Sequence, residues 1–351
     1  MGNYIRTVGS RFGAGWTRFW FTPSDAIVLS LIRVLTALVA LWWYLSLLTD
    51  LQYWFGPNGL FSLDLALQVR NASESRYAIS LLDYVNSASQ LWLVYGLGIA
   101  ALAMMLFGLF SRIATIASLV FVLSFIHRAP MLSRTVDDIL PLLMFYLCLG
   151  PSGANFSIDG WLRRKKQQRE RPALNSADAN IYWSSAATVA IRLMQVHLTM
   201  IYAAMLIAQL QGGTWWQGTA VWWLMARPES RLVDLTGLSR IGLAFEYMVN
   251  LFTHGIVIYE LCFVFLIWNS LARPILLVLG VFMWAGLALI GGSVSFAVIM
   301  LVANLAFLSP ETVRGFLGRQ NAENASASAP TTKAATSSGS SGRKEVVVAR
   351  R

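Results

Sequence analysis

The run TVAIRLMQVHLTMIYAAMLIAQL, residues 188–210, is followed at once by QGGTWWQGTAVWW, residues 211–223. The first run holds one formally charged residue, Arg192, in 23 positions. About 20 apolar residues suffice for a helix to cross the hydrocarbon core of a membrane, so this run reads as a membrane helix. Its polar residues are ordered. Arg192, Gln195, Thr199, Tyr202 and Gln209 step by three, four, three and seven. At about 100° per residue they share one face roughly 100° wide and about 25 Å long. His197 points elsewhere. Polar groups at this depth are costly and turn toward a protein interior. Gly212 and Gly213 end the run and permit a sharp turn. Trp215, Trp216, Trp222 and Trp223 follow, spaced seven apart in pairs. That spacing predicts one interfacial helix, with the four indoles on one side, roofing the polar stripe.

Working outward, the same rule gives eight candidate spans, with seven or nine as alternatives: 26–48, 91–110, 113–127, 136–150, 188–210, 248–268, 273–290 and 293–309. The predicted fold is all-α, a polytopic transmembrane bundle. Composition agrees: 56% of residues are hydrophobic and 13% charged, against about 25% charged in soluble domains. With both termini placed inside, 18 Lys and Arg fall on the cytoplasmic side and 7 outside. This bias predicts cytoplasmic N- and C-termini.

Around the bundle, residues 1–22 are basic and aromatic without a continuous apolar core, which predicts an interfacial segment. Residues 23–310 form the membrane domain, and 311–351 a cytoplasmic tail of small polar residues that is expected to be disordered. The linker RRKKQQRERPALNSADAN, 163–180, offers its charge to membrane lipid, and nucleic acid is not an expected partner. The GPNG of residues 56–59 marks a turn. Cys148 and Cys262 both lie in apolar runs, which excludes a disulfide framework, and no metal site is expected.

A second polar stripe lies on the sixth span, where Glu246, Asn250, Thr253 and Glu260 step by four, three and seven. Two readings stand for Glu260 near mid-membrane. One is a structural ion pair with Arg192 or Arg33. The other is a polar cavity or proton path between two facing stripes. His127, Asp137, Asp138 and His254 lie toward the outer face. Interface roles suit the histidines. All four residues are also the candidates for acid–base catalysis. No phosphate loop, dinucleotide fingerprint, nucleophile elbow or zinc-protease helix occurs.

Four stretches together resemble a known family: FTPSDAIVLSLIR (21–33), YWFGPNGLF (53–61), HRAPMLSRTVDDIL with FYLCLGPSGANFSIDGWL (127–162), and QLQGGTWWQGTAVW (209–222). In this order they resemble the horizontally transferred transmembrane (HTTM) family, related to vitamin K-dependent gamma-carboxylase. The resemblance spans about residues 21–310. It implies a multi-pass bundle and chemistry on a reduced quinone. In the carboxylase, oxygenation of that quinone generates a base strong enough to deprotonate a glutamate side chain, which then takes up carbon dioxide. Many relatives carry a lysine that deprotonates the hydroquinone at the position of Gln209, and often a histidine in the seventh span, where VFMWAGLAL (281–289) has Trp284. Glutamine accepts no proton.

The expected function is therefore binding of a quinone-like lipid in a polar cavity open to the outer leaflet, by Arg192, Gln195, Tyr202, Gln209, Trp215, Trp216 and Glu260. If the protein is an enzyme, a quinol-dependent redox reaction is expected ahead of carboxylation. The alternative is a non-catalytic membrane partner subunit or transporter-like module, bound to another membrane protein. The lean loops point to a bacterial plasma membrane.

Overall fold

The computed structural model describes residues 2–72, 79–132, 136–170, 181–227 and 232–316. Arg76, Arg134, Arg171 and Arg231, the second half of the basic linker and nearly all of the tail lie outside them. The chain divides into two units, Met1–Pro310 and Glu311–Arg351.

The first unit is almost wholly helical. In chain order it contains α1 (Gly2–Phe21), α2 (Ile27–Ser46), α3 (Leu51–Phe55), α4 (Leu63–Ala72), α5 (Ala88–Phe107), α6 (Ser111–Arg128), α7 (Val136–Leu149), α8 (Ile158–Glu170), α9 (Ser185–Gln211), α10 (Gly213–Trp216), α11 (Ala220–Met225), α12 (Leu243–Leu266), α13 (Ala272–Gly291) and α14 (Val294–Asn304). The strand content among the described residues is one two-residue antiparallel bridge, β1 (Ser24–Asp25) with β2 (Trp183–Ser184). It ties the start of α2 to the start of α9. Thr188 strengthens the tie by donating to the carbonyl oxygen of Thr22 at 2.6 Å.

Among the described residues six helices are long and apolar enough to cross a membrane: α2, α5, α6, α9, α12 and α13. A seventh is counted if residues 294–307 and 310–316 make one broken span. This architecture suits an integral membrane protein. The expected spans 136–150 and 293–309 appear as helices of 14 and 11 residues. At 1.5 Å per residue α7 rises about 21 Å, less than the roughly 30 Å of a hydrocarbon core. It carries Pro141 in its interior, which removes one intrahelical hydrogen bond.

The most buried long helix is α2, and α5, α7 and α14 pack on it. Tyr44 of α2 stacks on Tyr95 of α5 with centroids 4.9 Å apart, and Phe125 of α6 meets both rings edge-on. Arg33 is fully buried in α2. Its Nη1 donates to the Met105 carbonyl at 2.7 Å and its Nη2 to the Phe156 carbonyl at 2.6 Å. The guanidinium thus serves the last turn of α5, where unsatisfied carbonyls favour a cation. Another long-range cap starts α6. Phe110 precedes it in a left-handed conformation with no capping side chain of its own. Asp159, in the first turn of α8, accepts from Phe110 N, Ser111 N and Ser111 Oγ at 3.1, 2.8 and 2.8 Å.

Candidate functional site

A buried polar pair lies where α9 crosses antiparallel to α12. Tyr202 stacks on Phe263 with centroids 3.9 Å apart, which sets the register. In a helix each Cα–Cβ bond tilts toward the N-terminus. Gln209 of α9 therefore reaches down toward its helix start while Glu260 of α12 reaches the opposite way, and they meet. Gln209 Nε2 donates to Glu260 Oε1 at 2.9 Å. Gln209 is 8% exposed and Glu260 0%. Gln209 Oε1 and Glu260 Oε2 are buried without a hydrogen-bond partner. Each is thus an acceptor with no donor among the described residues, in surroundings where an unsatisfied polar group costs about 1–3 kcal/mol.

One turn deeper is a second cluster. Tyr202 OH accepts from Trp284 Nε1 at 2.8 Å and from Asn304 Nδ2 at 3.1 Å. The ring of Tyr259 stands 6.1 Å from that of Tyr202. Trp284 and Asn304 come from α13 and α14, so the phenol joins three helices. Asn304 was legible only as a lone amide in VIMLVANLAF, residues 298–307. Trp284 fills the place where the resemblance expects a histidine, and it supplies the indole N–H that this cluster needs.

Toward the start of α9, Arg192 Nη1 donates to Gln195 Oε1 at 2.9 Å, and Gln195 Nε2 to the Ala306 carbonyl at 2.7 Å. The α9 stripe is thus an observed face, with Gln195, Tyr202 and Gln209 all buried. The stripe on α12 divides. Thr253 and Glu260 are buried, whereas Glu246 and Asn250 are exposed. From the Tyr202–Phe263 register, α9 ends opposite about residue 254 of α12, so the outer turns of α12 have no α9 beside them. The ion-pair reading of Glu260 is corrected as well. Among the described residues the ion pairs are Arg70–Asp83 and Lys166–Glu170, and the partner of Glu260 is the Gln209 amide.

The tryptophan segment is two short helices rather than one. Gly218 sits between them at φ +71°, the left-handed region that suits glycine. A Cβ there would also collide with the Asn250 amide. Adjacent indoles face different ways, as neighbouring helix positions about 100° apart must. Trp215 and Trp222 pack on the cluster of Val221, Met225, Phe245, Val249 and Ile256. Trp216 and Trp223 face outward, and Trp216 Nε1 donates to the Leu210 carbonyl at 2.6 Å.

The four acid–base candidates differ in partner and burial. His127 Nδ1 bonds the Ile79 carbonyl oxygen at 2.9 Å, and His254 Nδ1 that of Asn250 at 3.0 Å. Asp138 is exposed. Asp137 is buried and helps line a cavity of about 200 Å³ between α2, α3 and the ends of α6 and α7, with Trp43, Asp50, Trp54, Phe55 and Phe125. Gln209 and Glu260 are not among the residues lining it. His197, as its angle predicted, leaves the stripe and pairs with Tyr146 OH at 2.8 Å. Among the described residues no group of three or more His, Cys, Asp and Glu could hold a metal ion.

Compared with known protein families, curated proteins and solved structures, the chain matches none of them.

Proposed function

We propose that this is a carboxylase-like (HTTM-type) integral membrane protein of the bacterial plasma membrane that binds a reduced quinone, or a lipid of like chemistry, at Gln209 and Glu260. In this reading the bundle crosses the bilayer eight times with both termini cytoplasmic, α7 and α14 being short crossings held inside the bundle. The K/R distribution supports the orientation. The depth is supported by Trp268, an aromatic of the kind found at the membrane–water boundary, which lies eight residues or about 12 Å of helix rise from Glu260.

One observation carries the reading: in a hydrogen-bonded pair of buried side chains, Gln209 Oε1 and Glu260 Oε2 each lack a donor. A hydroquinone hydroxyl donates a hydrogen bond, and a quinone carbonyl does not. The residues therefore fit the reduced form. Glu260 holds the proton-accepting role that Gln209 cannot fill, at Oε2, while the Gln209 amide fixes Oε1. Tyr202, held by Trp284 and Asn304, forms the rigid floor. A reduced quinone would supply two electrons and two protons. A groove between α12 and α13, about 380 Å³ and lined by Ile258, Tyr259, Cys262, Ile275, Leu276 and Leu279, has the apolar walls that a lipid tail requires, on another face of α12 from Glu260. Trp215, Trp216 and Arg192 play no direct part in this site.

The test is equilibrium binding of a naphthohydroquinone and of its oxidised form to the purified chain in nanodiscs. Preference for the reduced form, lost in Glu260→Met, supports the reading. Equal affinity for both forms, or unchanged affinity in Glu260→Met, overturns it and leaves the non-catalytic subunit reading.

A further inference from the structure

We propose that Arg192 and Arg273 hold the phosphate of an anionic phospholipid at the inner headgroup level, beneath α1. This rests on the opposite end of α9 from Gln209 and is independent of the quinol reading. Two half-buried guanidiniums flank one aromatic contact: Arg192 lies over Phe19, Phe19 meets Trp268 with centroids 6.0 Å apart, and Arg273 donates to the Trp268 carbonyl. Neither has a carboxylate within 4.0 Å among the described residues. Bringing like charges together in a partly dehydrated place is unfavourable unless an anion sits between them.

Both side chains are held in place by neutral groups rather than left to extend into water. Arg192 donates once, to Gln195, and its guanidinium lies over the Phe19 ring at 4.4 Å. Arg273 donates to the carbonyls of Ile267 and Trp268 at 3.2 and 3.4 Å. Most of their N–H groups carry no hydrogen bond among the described residues. Next to Phe19, with ring centroids 5.1 Å apart, is Trp20. Its buried indole N–H has no partner. The local excess is thus of cations and donors, the complement of a phosphate diester.

The surroundings favour a lipid over a free anion. Phe19 contacts Trp268, an indole at the end of α12, with centroids 6.0 Å apart. Further along α1, Phe12 and Trp16 are exposed and stack at 6.2 Å. Aromatic rings and arginines at one level are what the headgroup zone of a bilayer selects. A phosphate delivered there with acyl chains would place the chains along the apolar outer faces of the helices.

The experiment uses the full chain, released from detergent into native mass spectrometry with equimolar phosphatidylglycerol and phosphatidylcholine. Wild type is expected to retain phosphatidylglycerol preferentially. Arg192→Gln with Arg273→Gln should weaken retention roughly thirtyfold, about fivefold for each arginine near the surface. Lys165→Gln with Lys166→Gln, charges on α8, should change it little. The wild-type arms decide even if the arginine variant does not fold. No preference for phosphatidylglycerol in wild type overturns the proposal, as does equal displacement of the lipid by inorganic phosphate at matched concentration. Equal loss in the lysine variant also overturns it, since the attraction would then be diffuse.

Discussion

Replacing Gln209 with Leu removes the one described donor to a fully buried carboxyl group. The interhelical hydrogen bond, Nε2 to Oε1 at 2.9 Å, is worth about 0.6–1.7 kcal/mol by the measure of other membrane bundles. Glu260 Oε1 would then join Oε2 as an unsatisfied buried acceptor, at a further cost on the order of 1–3 kcal/mol. The expected loss is about 2–5 kcal/mol. Glu260→Met, close in length and without polar atoms, strands only the Gln209 amide and should cost about 1 kcal/mol. The double variant replaces both polar partners with apolar groups and should be more stable than Gln209→Leu alone, because no buried acceptor remains. Unfolding in mixed detergent, followed by tryptophan fluorescence and analysed as a double-mutant cycle, reads these terms directly. A coupling near 1–2 kcal/mol is expected. Additive single effects, or a neutral Gln209→Leu, would show that the two side chains do not share a buried contact.

Three further outcomes follow from named contacts, each checked by the same unfolding assay. Tyr202→Phe leaves the Trp284 indole N–H and the Asn304 amide without their acceptor, and should cost about 2–4 kcal/mol; Trp284→Phe, which strands less, should cost about 1 kcal/mol. Asp159→Ala uncaps α6 and should cost about 1–2 kcal/mol, with Asp159→Asn recovering part of it. Gly218→Ala puts a Cβ in the left-handed region and against Asn250, and should destabilise by about 2 kcal/mol, whereas Gly213→Ala, with open space around it, should change stability by under 1 kcal/mol.

The α9 helix and its buried face were legible because one helix carries a single period, and the polar residues obeyed it over five positions. The span at 113–127 was also legible, although its true extent, Ser111–Arg128, adds three residues. What failed depended on neighbours. Angles alone put Glu246 and Asn250 on the same face as Glu260, but burial depends on whether a partner helix is still present at that height, and α9 has ended. The tryptophans seven apart stayed on common sides across Gly218, but adjacent indoles point about 100° apart, so the four do not share one face. Sequence also supplied the wrong partner for Glu260, because formal charge suggested Arg192 or Arg33. Arg33 is taken by two backbone carbonyls, and Arg192 by Gln195 and Phe19. Asp159 could not have been foreseen as a cap for α6, since the two are joined only by folding across 48 residues.

The proposed site places a reduced quinone between α9 and α12. The most direct measurement is photocrosslinking of the protein in nanodiscs with a photoreactive naphthohydroquinone, followed by mapping of the labelled peptides. Label is expected on residues 202–211 and 256–263, competed by unlabelled hydroquinone and lost in Glu260→Met. Label confined to residues around the Asp137 cavity, or label that survives Glu260→Met unchanged, would contradict it.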